Sequence, residues 1–478
     1  MRLTIIGGGG FRVPLVLQAL HDAGARAPIS EVVLHDVDEA RLRVMADVWA
    51  ARTHRGTTGM PAPPGPPAFT LRTTTDLEDA LRGAAVVFSA IRVGGAAGRV
   101  RDERSAMAAG LLGQETIGAG GLTYALRTVP VADALAATLA RVAPEAWCLN
   151  FTNPAGLVTE AMRGVHERTV GICDTPIGLV RRALRAVGRD PGAFDRGEVA
   201  VDYAGLNHLG WLLGLRDAVR EGARDLLPDL LWDFEALETL EEVRLIGSEW
   251  VRVIGALPTE YVYYYLYPSR ARAALAAAPT TRGEDVAAQQ ADFYPAALAQ
   301  PARADALWRA AHAQRDASYM ATERAASGAG ERDAADLGGG YHEVAVDIMC
   351  ALLGDEEHRM ILDVPNRYPD GSPVVPGLDT DTVVEVPVLA RRHEVVPLPQ
   401  RRSPEPEDVA LMARVRASER LMIRAARSPW PEHAGLVWRA LAAHPVVDDP
   451  RAARKVTDAA LDAEGYRAGF GLRRDAAG

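Results

Sequence analysis

The chain opens on an apolar run, LTII at positions 3–6, which stops at four consecutive glycines, Gly7 to Gly10, and gives way to VPLVLQAL, whose apolar residues recur at helical spacing. This pattern predicts a strand over 3–6 and a helix over 13–23. The alternation then repeats. EVVLHDVD ends at His35 and Asp36, AAVVFSAI ends at Ile91, and AWCLNFT and TVGICDT bracket a helix beginning near Gly156. Strands alternating with helices in this order predict a parallel sheet with crossover helices. Ligands of such sheets bind beyond the carboxyl ends of the strands, where nearly every polar motif of this half stands.

Beyond residue 200 the pattern changes. Residues 200–215 predict a strand leaving the first half, 221–250 read as helical, and 270–350 form an alanine-rich, mainly helical stretch. VVEVPVLARRHEVVPL, within 373–400, predicts strands that return towards the cleft, and 403–440 is helical again. The stretch MPAPPGPPAF at 60–69 is a surface loop, because repeated prolines remove backbone donors. A chain of 478 residues exceeds what one core usually supports. The expected architecture is therefore α/β, with a parallel-sheet nucleotide-binding domain over 1–200 and a mainly helical α+β domain over 201–478.

Composition narrows the classes. With 48% hydrophobic and 24% charged residues the chain is not a disordered one. A formal net charge of −10 argues against a nucleic-acid partner. No apolar run of 18 residues is present to span a membrane, and the N-terminus enters its first strand too directly for a signal peptide, so a cytoplasmic location is expected. Three cysteines, Cys148, Cys173 and Cys350, do not make a disulfide scaffold and leave burial or metal ligation as their uses. Arginine carries the positive charge; the single lysine is Lys455. Schiff-base chemistry thus lacks its usual residue.

At the nucleotide end, Gly7 and Gly9 supply the first two glycines of a GxGxxG turn, while Arg12 occupies the place of the third. Gly7, Gly9, Gly10, Phe11 and Arg12 are the expected contacts of a dinucleotide pyrophosphate, whose charge meets the backbone amides and the positive end of the following helix. Asp36 is placed to accept ribose hydroxyls and favours NAD over NADP, with His35 and Arg41 nearby as features of the opposite sense.

Several uncommon words follow in order: RVGG (92–95), GQETIGAGG (113–121), RTVPV (127–131), FTNPAG (151–156), GLNHLGW (205–211) and GGGYHEVA (338–345). With the glycine turn they resemble glycoside hydrolase family 4, the NAD- and divalent-metal-dependent glycosidases, and within it the 6-phospho-beta-glucosidase branch. The resemblance implies a Rossmann-like domain joined to a largely helical catalytic domain. It also implies a manganese ion, or another divalent metal, held by Cys173 and His208, a ligand pair that leaves positions open for sugar oxygens. The implied reaction oxidises the sugar at C3, removes the C2 proton, eliminates the C1 substituent, adds water and returns the hydride. The base is a tyrosine of PTEYVYYY (258–265), matched to Tyr261 with Tyr264 as the alternative. Asn153 and Asn207 match sugar-positioning residues, and Glu115 orients a water or a ligand or caps its glycine turn.

One position departs from that branch. Asn usually follows the metal cysteine, whereas this chain carries Asp174, a carboxylate able to bind the ion, accept a sugar hydroxyl or change the sugar selected. Arg92 matches a phosphate contact, and Arg270 is the nearest second cation to the tyrosine stretch. The leading expectation is hydrolysis of 6-phospho-beta-glucosides, with a small phosphorylated glycoside as partner and a homodimer or homotetramer as assembly. The alternatives are a family 4 glycosidase acting on an unphosphorylated or differently configured glycoside, and a non-catalytic NAD-binding sensor or structural protein.

Overall fold

The computed structural model describes residues 1–53, 68–218, 222–317, 321–327, 340–429 and 432–463. Most of the proline-rich stretch, and Gly338 and Gly339 of the GGGYHEVA motif, lie outside them.

Twelve strands build one sheet: β1 (Arg2–Ile6), β2 (Glu31–His35), β3 (Thr70–Thr74), β4 (Val86–Ser89), β5 (Trp147–Asn150), β6 (Thr169–Gly171), β7 (Val199–Leu206), β8 (Leu209–Asp217), β9 (Leu257–Pro258), β10 (His358–Pro365), β11 (Val383–Arg391) and β12 (Glu394–Pro397). Their spatial order is β3-β2-β1-β4-β5-β6-β10-β11-β7-β8-β9, with β12 on the flank of β11. The first six pair in parallel and the rest antiparallel. The parallel part is Rossmann-like: its order reverses between β1 and β4, which opens a crevice at their carboxyl ends. The four residues of β4, VVFS, and of β5, WCLN, are all buried, as expected of strands covered by helices on both faces. Among the described residues no helix is long and apolar enough to cross a membrane.

Two expectations about strands are corrected. Residues 200–215 are not one strand but the hairpin β7–β8, in which Leu206 pairs with Leu209 and Asn207 and His208 form the turn. Both strands are buried almost throughout, so neither polarity nor alternation marks the reversal. His208 takes a left-handed backbone, φ 64°, which tight hairpin turns require and which histidine tolerates better than most non-glycine residues. The second correction is β10, which, like the edge strand β3 and the two-residue β9, has no counterpart in the expectations from sequence. It continues the sheet by joining β6 to β11.

The β6–β10 junction rests on one register pair, Gly171 opposite Asp363. A Cβ on Gly171 would lie 2.5 Å from Asp363 Oδ2 and 2.6 Å from Thr159 Oγ1. Only a glycine lets these chains approach two residues before Cys173. We expect Gly171→Ala to destabilise the fold by about 1–3 kcal/mol through overpacking. The check is a urea titration, in which the midpoint falls at unchanged slope.

Candidate active site

A cavity of about 1290 Å³ opens at the carboxyl ends of β1, β2, β4, β5 and β6 and is closed on its far side by the β7–β8 turn and the segment after β9. Single small-ligand pockets usually measure ~300–1,000 Å³, so this one is large enough for a dinucleotide and a sugar together.

The glycine turn forms one end. Gly7 has φ 87°, and a Cβ there would lie 2.5 Å from the Ala90 carbonyl oxygen. The helix Val13–Ala23 begins with no side-chain cap, which leaves its amino end to an anion. Asp36 Oδ2 accepts from Gly9 N (3.1 Å) and Oδ1 from Asp38 N (3.1 Å), so the carboxylate is held at the cavity wall by its own turn. Gly9 itself does not line the cavity. Its carbonyl accepts from Tyr294 Oη (2.8 Å), and a Cβ on it would strike Arg41 Cβ at 2.7 Å. Phe11 reaches the wall, but its ring packs edge-on to Phe293 (5.3 Å) and beside Trp308 (5.8 Å), whose indole donates to the Phe11 carbonyl (2.7 Å). Two of the five glycine-turn residues therefore serve largely to seat the helices Arg282–Ala299 and Ala304–Ala317.

At the other end, Cys173 and His208 line the same cavity. Thr116 Oγ1 lies 2.9 Å from His208 Nδ1 and donates in turn to Gln114 Oε1 (3.2 Å). This contact occupies Nδ1 and leaves Nε2 outside it. With the ring proton on Nδ1, Nε2 would offer its lone pair, the arrangement that a metal-binding histidine needs. Burial pushes His208 down to about 4 against the opposing charges of Glu115 and Asp174, keeping the ring neutral at physiological pH. Burial, with Glu385 and Asp174, pushes the Cys173 thiol up, so a thiolate here needs a cation beside it. Asn153 contributes a buried Oδ1 with no hydrogen-bond partner, and Asn207 Nδ2 donates weakly to Glu385 Oε1 (3.4 Å). A histidine nitrogen, a buried thiol and an unpartnered amide oxygen lining the same cavity are donor types that fit a divalent ion with substrate oxygens completing its shell. Among the described residues no group of three or more His, Cys, Asp and Glu forms a closed metal site.

Tyr261 stacks on His208, centroids 3.8 Å apart and planes 15° apart, and Tyr264 lines the wall behind it at 6.2 Å. Asp174 begins the helix Thr175–Ala186 without its side chain capping it, so its carboxylate is open to the cavity that it lines.

The cations differ from expectation. Arg270 is exposed, lies over Tyr267 at 5.1 Å and is not on the cavity wall. Arg92 is on the wall but pairs with Glu115, which also binds Arg99 (2.6 Å). Burial would raise the Glu115 carboxyl, yet these two arginines hold it at about 2. Arg92 Nη1 stays buried without a hydrogen-bond partner. Arg282 and Arg315 join them on the wall. Burial, then Arg12, Arg282, Arg92 and Arg99, push Arg315 down to about 9. A guanidinium so strongly opposed by its neighbours marks a place for an anion. Arg282 and Arg315 stand 33 residues apart in alanine-rich helices, and nothing in their local spacing signalled them.

Glu260 was also overlooked, although it sits in the PTEYVYYY motif. The residue is 8% exposed. Oε1 accepts from Thr175 Oγ1 (3.1 Å) and Oε2 is buried without a partner. Burial, then Glu242, push it up to about 7, with Arg182 opposing.

Family models describe both halves of the chain: "Family 4 glycosyl hydrolase" matches residues 2–188 and "Family 4 glycosyl hydrolase C-terminal domain" matches 203–447. The chain is 29% identical over 403 residues to 6-phospho-alpha-glucosidase 1 of Lacticaseibacillus paracasei, covering 81% of this chain and 80% of that one. It is 31% identical over 273 residues to the probable 6-phospho-beta-glucosidase of Bacillus subtilis, covering 55% and 58%. Its fold is shared by the 6-phospho-beta glucosidase of Thermotoga maritima, solved with manganese, NAD+ and glucose-6-phosphate, at 24% identity, TM-score 0.75, and 97% and 98% coverage.

The raised Glu260 carboxyl yields a stability prediction. A folded-state value above the unfolded one contributes stability that is complete below about 4.5 and is lost as pH rises through about 7. Glu260→Gln stays neutral and escapes that loss. Its unfolding free energy should gain on the parent by roughly 1–3 kcal/mol between pH 5 and pH 8, read from denaturant titrations at both pH values.

Proposed function

Because this chain belongs to the family 4 glycosyl hydrolases, we propose that it hydrolyses 6-phosphoglucosides with NAD and a divalent ion, manganese first, in the large cavity at the strand ends. The observation that carries this reading is the convergence of Cys173, Asp174, His208 and Tyr261 on the cavity that the glycine turn also lines. Relatives named for 6-phospho-alpha- and 6-phospho-beta-glucosides support the phosphosugar class, and so does the arginine wall.

When bound, NAD supplies reversible oxidation at C3 and the ion supplies Lewis-acid polarisation of the neighbouring oxygens, which together acidify the C2 proton. Gly7, Gly10, Arg12 and Asp36 would hold the dinucleotide. Cys173 and His208 would hold the ion. Tyr261 takes the C2 proton, with Tyr264 next in line. Asn153 and Asn207 orient the ring hydroxyls, and Arg92, Arg282 and Arg315 receive the phosphate. Asp174 protonates the departing glycosidic oxygen and afterwards activates the water that adds at C1.

Asp174 also bears on the anomer. In an α-glucoside the axial C1–O bond lies on the ring face opposite the axial C2–H, so base and acid must come from different sides. The α-linked 6-phosphoglucoside is the preferred substrate in this reading, supported by the 6-phospho-alpha-glucosidase relative whose match covers 81% of the chain. The 6-phospho-beta-glucoside expected from the sequence is the second reading, supported by the motifs shared with that branch.

The test compares α- and β-linked nitrophenyl glucosides, with and without a 6-phosphate, in NAD, manganese and reductant. Turnover of the α-linked phosphosugar with exchange of its C2 proton for solvent deuterium is expected. Preference for the β-linked phosphosugar reverses the anomer, strong turnover of neutral sugars removes the phosphate requirement, and NAD binding without any cleavage favours the sensor alternative. Asp174→Asn should lower kcat/KM by about 10²–10⁴-fold on alkyl glucosides, which need a protonated leaving group, and far less on nitrophenyl ones.

A further inference from the structure

On the cavity wall itself, the segment Cys173-Asp174-Thr175 at the end of β6 meets the turn Glu260–Val262 that follows β9. Thr259 N bonds the Gly210 carbonyl (2.9 Å), which ties that turn to β8 and hence to the hairpin bearing His208. The Thr175 hydroxyl then donates to Glu260 Oε1 across 3.1 Å. Its two ends are the residue next to Asp174 and the residue next to Tyr261. The charged groups facing Glu260 do not compete for this bond. Arg182, from the helix that Thr175 begins, is bound through both Nε and Nη2 to Glu242, and Glu241 and Glu242 face Glu260 with like charge. Leaving Oε2 buried and unpartnered is costly, and the fold alone does not ask for it.

We propose that Glu260 is a positioning residue: through Thr175 it locks the turn presenting Cys173 and Asp174 to the turn presenting Tyr261, so that metal ligand, proton donor and base keep one geometry around the sugar. This role rests on the glycosidase reading given above. It follows from the bond's position one residue away from two reacting groups and two away from a metal ligand, the distance at which supporting residues orient those they touch.

The experiment uses the full chain loaded with NAD and the variants Glu260→Ala, Thr175→Val, their double, Glu260→Gln and Thr175→Ser. Manganese affinity is read by titration calorimetry without substrate, and kcat and KM on a 6-phosphoglucoside that the parent turns over. Each disruptive single variant should weaken manganese binding and lower kcat by about 10–100-fold, with KM and NAD affinity within about threefold. The double variant should be no worse than the poorer single, since both remove the same bond. Glu260→Gln and Thr175→Ser keep acceptor and donor and should recover most of both losses. Undiminished manganese affinity and kcat in both singles, multiplied losses in the double, or a Gln variant as impaired as Ala would each overturn the proposal. Should Glu260→Ala fail to fold, Thr175→Val against Thr175→Ser decides. Absence of turnover by the parent counts against the glycosidase reading, whereas the manganese titration still judges the tie.

Discussion

The hydrogen bonds from Tyr294 Oη to the Gly9 carbonyl and from Trp308 Nε1 to the Phe11 carbonyl make one cavity out of elements nearly 300 residues apart. A glycine turn has little side chain of its own to hold it, and its carbonyls need partners once water is excluded. Here the partners come from two helices of the second half, whose aromatic rings also pack on Phe11. The turn that would receive a pyrophosphate is thereby set against Arg282 and Arg315, which the same two helices carry. Nucleotide end and anion end share a scaffold.

Charges of both signs meet in the site. Arginines and carboxyls such as Asp36, Glu115 and Asp174 share the cavity lining, and two further carboxyls lie in the sheet outside it: Asp363 and Glu385 stand directly opposite each other on β10 and β11. Burial pushes both up, and each carboxyl opposes ionisation of its neighbours. Glu385 accepts from Tyr203 Oη (2.7 Å) and from Asn207, so this layer supports the hairpin turn that bears His208. A neutral imidazole above, a buried acid pair below and Thr116 at Nδ1 leave Nε2 as the histidine's reactive face.

Five of the six parallel strands were legible because each runs into glycine or polar residues at the place where the sheet ends; β3, TLRTT, was not, since this polar, half-exposed edge strand has no apolar run to mark it. The β7–β8 reversal was not, since strands buried on both faces show no alternation and Asn-His is a weak turn signal. β10 escaped for a similar reason: HRMILDVP follows a long alanine-rich helical stretch without a glycine-rich boundary of its own. Residues that stand in distinctive words (Cys173, His208, Tyr261, Asn153) could be singled out from sequence, and the structure brings them to one cavity. Arg282 and Arg315 sit in helices whose composition is uniform, and only tertiary packing makes them neighbours. Arg270 was chosen by proximity in sequence to the tyrosines, and the helix Pro268–Ala277 carries it to the surface instead.

The positive wall is built from arginine alone, and the chain's one lysine, Lys455, lies in the helix Pro450–Asp462, away from the cavity. A guanidinium stays protonated and does not condense with carbonyl compounds, whereas an amine of lowered pKa does. A keto sugar passing through this cavity therefore meets no group that could capture it as an imine. Among the described residues the cavity thus gathers several cations without an amine nucleophile beside them.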